Sequence, residues 1–137
     1  MNQQDELYDL RIITQAKYQL QQQSFQKIVT EENHLRRELA RLDELRHQSQ
    51  NKPDGEGEMR SIGADIVWQS WLGRSKSQLN MRLARVMATK LHQLEQVRQA
   101  YGRVLVVQEL LDQLQSRAKS QKAQTVLSHA VQYSLQS

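Results

Sequence analysis

Residues 83–118 read LARVMATKLHQLEQVRQAYGRVLVVQELLDQLQSRA, and their periodicity decides the fold. Alternate steps of four and three from Leu83 reach Met87, Lys90, Leu94, Val97, Tyr101, Val104, Gln108, Leu111, Gln115 and Ala118, most of them apolar. A seam at that spacing needs a partner helix, because one helix cannot bury its own stripe. The helical pattern extends back to about Asp65, so this arm would hold about 50 residues and run about 75 Å at about 1.5 Å per residue. From 91 to 114 the seam is strongest, with Val104, Leu105, Val106 and Val107 forming an apolar run beside Leu110 and Leu111.

A matching arm lies upstream. Asp5 and Glu6 place negative charge in the first turn of a helix. Leu7, Leu10, Ile13 and Leu20 mark a stripe at helical spacing, with Ile12, Tyr18 and Phe25 beside it, and Ile28, Leu35, Leu39 and Leu42 continue it. Between Leu20 and Ile28 the steps run four and four through Ser24, which reads as a stutter. The arms are separated by QSQNKPDGEGEMRSI at 48–62, where Pro53 stops a helix and Asp54-Gly55 supplies turn chemistry. Ser61 is the candidate N-cap of the second arm. The expected fold is all-α: a long antiparallel two-helix coiled-coil hairpin, in a single domain with arms at about 4–48 and 63–118, a tip at 49–62 and an amphipathic tail at 119–137. A turn near Gly55 would set Ile28 opposite about Ala84 and Leu7 opposite about Leu105.

Composition supports long helices over a globule. The 137 residues are 38% hydrophobic and 5% aromatic, with a mean hydropathy of −0.76 and one proline. No cysteine occurs, which excludes a disulfide frame and thiolate metal sites. No secretory leader pattern and no apolar run of membrane-spanning length occur, so the expected location is cytoplasmic, compatible with peripheral association at the inner membrane. Up to Glu58 there are eight Lys or Arg against eleven Asp or Glu, and after it eleven against four. Opposite excess charge favours association of the arms, each surface pair contributing about 0 to 1 kcal/mol.

Two features point outside the chain. Simple fold-back leaves everything past about Leu110 without an intramolecular partner: Leu110, Leu111, Leu114, Arg117, Lys119, Lys122, then Val126, Leu127, Val131 and Leu135 form a basic, amphipathic C-terminal overhang. Trp68 and Trp71 stand three apart at the opening of the second arm, where they either close the hairpin end against Leu39, Leu42 and Leu45 or serve as an exposed anchor for a partner. Gly73, just behind them, reads as a bend or a close helix approach. Arg74, Lys76, Arg82, Arg85 and Lys90 read as partners for the acidic arm. They carry no nucleic-acid-reading motif, so specific nucleic-acid binding is not expected.

Catalytic and metal chemistry finds no frame. His34, His47, His92 and His129 are scattered, and the carboxylates three residues from the first three of them do not face one another in the expected pairing. Gly55 and Gly57 sit among Asp54, Glu56 and Glu58, which repel phosphate, and no P-loop or nucleophile-elbow pattern occurs. A non-enzymatic protein without cofactor or metal is expected.

The heptad arm, the Gly-bearing polar tip at 51–57, Trp68 and Trp71 at the opening of the second helix, and Tyr101 within an aliphatic seam together resemble the FliJ/YscO family. Those are small coiled-coil stalk proteins of flagellar and related type III export machines. The likeness covers nearly the whole chain and is one of pattern. Beyond Tyr101 the chain departs from the family, with Gly102 and the valine run in place of a highly charged helix, and its end is Ser- and Gln-rich. The resemblance implies a soluble factor of flagellum biogenesis and protein transport that binds and stimulates a hexameric export ATPase with its paired termini and contacts the export gate or chaperones. By position, Leu7, Arg11, Leu111, Leu114, Arg117 and Lys119 would face the ATPase. The competing expectation is a self-associating scaffold, a homo-oligomer held through the overhang.

Overall fold

The structure, a computed structural model, describes residues 2–51 and 58–136, with the backbone alone at 58–61. It is all-helical: α1 spans Gln3–Gln50, α2 spans Glu58–Gln136, and the two helices pack against each other. Gln, Leu, Arg, Glu and Ala favour helix throughout, and α1 holds neither glycine nor proline. Asn2 caps α1, its side-chain oxygen accepting the Asp5 backbone N–H at 2.9 Å, with Asp5 and Glu6 in the first turn. At the other end the Asn51 N–H donates to the His47 carbonyl at 3.1 Å.

The break between the arms is narrower than the expected 49–62. α1 continues to Gln50, and α2 is already helical at Glu58, which puts Ser61 inside the helix instead of at its N-cap. Pro53 and Asp54-Gly55 lie outside the described residues. Downstream, α2 does not end near Ala118 but continues unbroken to Gln136.

The chain divides into two compact units, Gln23–Glu95 and Met1–Gln22 with Gln96–Ser137. In the first, Phe25, Ile28, Glu32, Leu35, Leu39 and Leu42 of α1 turn inward, with Leu72, Lys76, Leu79, Leu83, Val86, Lys90 and Gln93 of α2. Leu35 is 0% exposed. Two charged contacts join the helices here, Lys90 Nζ to Glu32 Oε1 at 2.7 Å and Lys76 Nζ to Asp43 Oδ1 at 3.2 Å. Both agree with the expected pairing for Lys76 and Lys90, whereas among the described residues no ion pair engages Arg74, Arg82 or Arg85.

In the second unit Leu7, Val107 and Leu111 form a small core, with Tyr8 and Leu114 packed against it. Arg11, Thr14, Tyr18 and Gln21 continue the inward side of α1, opposite a side of α2 carrying Val97, Ala100 and Val104. Tyr18 and Tyr101 meet with ring centroids 5.3 Å apart.

Three expectations change. On α2 the inward positions include Val86, Ala100, Val107 and Leu114, each one residue before the expected Met87, Tyr101, Gln108 and Gln115; Gln93 joins the expected Leu94, both half-buried, and Leu83, Lys90, Val97, Val104 and Leu111 stay. Apolar residues adjoin in pairs there, so steps of three-four and four-three fit about equally, and α1 covers only one of the two sides. On α1 the stripe through Leu10, Ile13 and Leu20 faces solvent, Leu20 being 62% exposed. The inward line Tyr18, Gln21, Phe25, Ile28 keeps alternating three and four, so no stutter through Ser24 occurs. The register also moves: Leu7 packs on Val107 and Leu111, about one turn beyond Leu105, and Glu32 reaches Lys90.

Replacing Leu35 by Ala should destabilise the protein by about 2–5 kcal/mol in denaturant titration, whereas Leu20→Ala should change stability by less than about 0.5 kcal/mol. Gly73 is exposed within α2, and a Cβ there would meet nothing within 4 Å, so no close helix approach requires it. Gly73→Ala should therefore raise stability by about 0.5–1 kcal/mol in the same titration.

Candidate functional site

The residues expected to bind a partner separate into three places. Leu7 and Leu111 are core, Leu111 being 1% exposed, and Leu114 packs beside them. They join the helices of their own unit and are not free to dock elsewhere. Arg11 sits with its guanidinium 5.3 Å from the Tyr8 ring centroid, a cation–π contact at the edge of the same core. Arg117 and Lys119 stand on the exposed part of α2 beyond it. Trp68 and Trp71 belong to the other unit.

Beyond Leu114 the helix is bare. Every residue from 115 to 136 is exposed, over about 30 Å of helix at about 1.5 Å per residue. Arg117, Lys119 and Lys122 carry its charge, and no acidic residue follows Asp112. Continuing the inward three-four line from Leu114 gives Ala118, Gln121, Thr125, Ser128 and Gln132, which is mostly polar. The apolar residues Ala123, Val126, Leu127 and Ala130 occupy the outward positions instead. Any body that covers them approaches α2 from the side away from α1. The expected overhang thus begins at Gln115, later than Leu110, because Leu111 and Leu114 find Leu7 and Tyr8.

At the start of α2 the residues 62–71 are all exposed, and Leu72 is the first to turn inward. Trp68 and Trp71 do not close over Leu39, Leu42 and Leu45. They stack on each other, centroids 5.2 Å apart and planes at 19°, and remain 37% and 44% exposed. Leu72 and Gln69 share a cleft with Leu42, Asp43 and Arg46 in their stead. The helical period explains the exchange: Trp68 and Trp71 lie one step round from the line through Leu72, Lys76 and Leu79. With Ile66 and Val67 they make an exposed apolar surface next to Gly63, Ala64 and Arg74.

The third feature is Glu32, which is buried although it is charged. Its Oε1 accepts from Lys90 Nζ at 2.7 Å, and its Oε2 accepts from Arg36 Nε at 3.0 Å. Arg36 also reaches the Met87 sulfur at 3.7 Å. The Lys90 hydrogen bond first, then that of Arg36, hold the Glu32 carboxyl below the usual carboxylate range. The signal was available: Glu32 falls in phase with Phe25, Ile28, Leu35 and Leu39. Among the described residues no group of three or more His, Asp or Glu could hold a metal ion, and no helix is long and apolar enough to cross a membrane.

No family model, no curated protein and no solved structure matches the chain.

Because the folded carboxyl of Glu32 titrates below its unfolded value near 4.5, its contribution is present above that value and is lost as pH falls through the lower folded pKa. Urea midpoints followed from pH 7 to pH 3 should drop for the native chain. Glu32→Gln should start from a lower midpoint at pH 7 and fall less steeply.

Proposed function

We propose that the chain is a non-enzymatic stalk or adaptor of a flagellar or type III protein export apparatus, built as an antiparallel two-helix coiled-coil hairpin. The descending order of the contacts supports the hairpin. Glu32 meets Lys90 and the later Asp43 meets the earlier Lys76, while in the other unit Leu7 meets Leu111 and the later Tyr18 meets the earlier Tyr101. The inward lines at alternating three and four residues support the coiled coil.

The observation that carries the functional reading is the bare helix 115–136, basic and without acidic residues, beside the buried start of α1 at Leu7. Such an end suits insertion into a larger assembly, and the FliJ/YscO resemblance supplies the class of partner: a hexameric export ATPase that the stalk binds and stimulates. The export gate or chaperones take the remaining surfaces, with the Trp68–Trp71 pair as the anchor best suited to them. Binding alone is the mechanism, and the protein acts in the cytoplasm, at most peripherally on the inner membrane.

Arg117 and Lys119 test this reading better than Leu111 and Leu114, because a charge at either leucine would break the core around Leu7. With the export ATPase of the same organism, the purified chain should raise the hydrolysis rate. The double variant Arg117→Glu/Lys119→Glu should lose most of that stimulation while its helix content and unfolding midpoint in dilute solution, where the chain is monomeric, stay unchanged. Full stimulation by the variant, or none by the native chain, would sink the stalk reading.

A further inference from the structure

The outward side of α2 in the unit Gln96–Ser137 carries an ordered line at seven-residue steps: Arg98, Leu105, Asp112, Lys119, Val126 and Tyr133, all exposed. Seven residues are nearly two helical turns, so these side chains stand one above another. Leu105 lies about 160° round the helix from the buried Val107 at about 100° per residue, so α1 does not cover it. Val106 and Leu127, each next in sequence to a member of the line, are exposed too.

The types along that line run apolar, acidic, basic, apolar from Leu105 to Val126. Reversed about the midpoint between Asp112 and Lys119, the sequence of types pairs with itself: apolar opposite apolar, and acid opposite base. The charges are also unspent within the chain. Glu109 and Asp112 are met by the amides of Gln113 and Gln108, at 3.4 and 3.2 Å, and among the described residues no ion pair engages Arg117, Lys119 or Lys122.

We infer that the occupant of this face is a second copy of the chain, running antiparallel along α2 about a two-fold axis midway between Asp112 and Lys119. Asp112 of each copy meets Lys119 of the other, Leu105 meets Val126, and Arg98 lies over Tyr133. Each contact occurs twice, as a two-fold interface requires. The paired length, from Arg98 to Tyr133, is about 54 Å at about 1.5 Å per residue. Glu109 comes opposite Lys122 in the same register, which adds a second complementary charge pair on each side. A parallel arrangement would instead stack Asp112 on Asp112 and Lys119 on Lys119, like charge on like.

The pairing uses no export component, so its test is separate from that of the stalk reading. It also covers Lys119, so a paired copy cannot offer that residue to another protein. Sedimentation of the full chain alone at low salt, where screening is weak, tests it. The native chain should pass from monomer to dimer with half-association below about 100 µM. Asp112→Lys and Lys119→Asp should each weaken dimerisation at least about tenfold, since each places two like-charged contacts in the interface. An equimolar mixture of the two single variants should regain dimers, because each mixed pair restores both opposite-charge contacts. A lysine or aspartate that merely disturbed the helix would not be rescued in this way. A native chain that stays monomeric at millimolar concentration, a dimer indifferent to both substitutions, or single variants that fail to associate when mixed would each overturn the proposal.

Discussion

The unequal length of the two helices is the constraint on which the rest depends. α1 has 48 residues and α2 has 79, and a helix can be covered by its neighbour only as far as the neighbour runs. Within the unit that holds the chain ends, burial stops at Leu114 because Leu7, Tyr8 and the cap at Asn2 are the last groups α1 can supply. Beyond that point the inward line of α2 turns polar and its apolar residues move to the outward side. The same helix is therefore a packing partner over one stretch and a presenting surface over the next.

Between the helices the contact is lean and partly polar. Arg11, Thr14, Gln21, Glu32, Lys76, Lys90 and Gln93 occupy inward positions that leucine would fill in an idealised seam. Polar groups at such positions cost stability and fix register, since a slip by one heptad would part Glu32 from Lys90 and leave the carboxylate covered and unpaired. Leu35, at 0% exposure, and Leu111, at 1%, supply the tight apolar contacts, one in each unit. The apolar residues that the seam does not take, from Leu10 and Ile13 to Leu105 and Val126, are left on the surface. A chain so poor in aromatic residues spends its apolar surface on presentation as well as on packing.

The helices themselves were legible from the long runs without Pro or Gly, and the pairing of Lys76 and Lys90 with the acidic arm was legible from the charge split. The phase was not. Val86-Met87 and Ala100-Tyr101 offer adjacent candidates, and only the side from which α1 approaches chooses between them. In α1 the aliphatic Leu10, Ile13 and Leu20 attract the eye, yet the inward line runs through Arg11, Thr14, Tyr18 and Gln21, which hydropathy does not reveal. Glu32 shows the same conflict: its phase points inward and its charge outward, and Lys90 with Arg36 makes the inward position tolerable. At the candidate surfaces the bare end of α2 was visible as leftover length. The self-pairing order of types from Leu105 to Val126 emerges only once the inward line is known.

The central claim is that α2 is covered within its own chain only as far as Leu114 and needs a second body beyond it. Amide hydrogen exchange, measured peptide by peptide at low and at high protein concentration, tests it most directly. The account predicts strong, concentration-independent protection over 72–114, and weak protection over 115–136 in dilute solution that rises as the concentration rises. Protection of 115–136 equal to that of the seam in dilute monomer, or unchanged at any concentration, would contradict it.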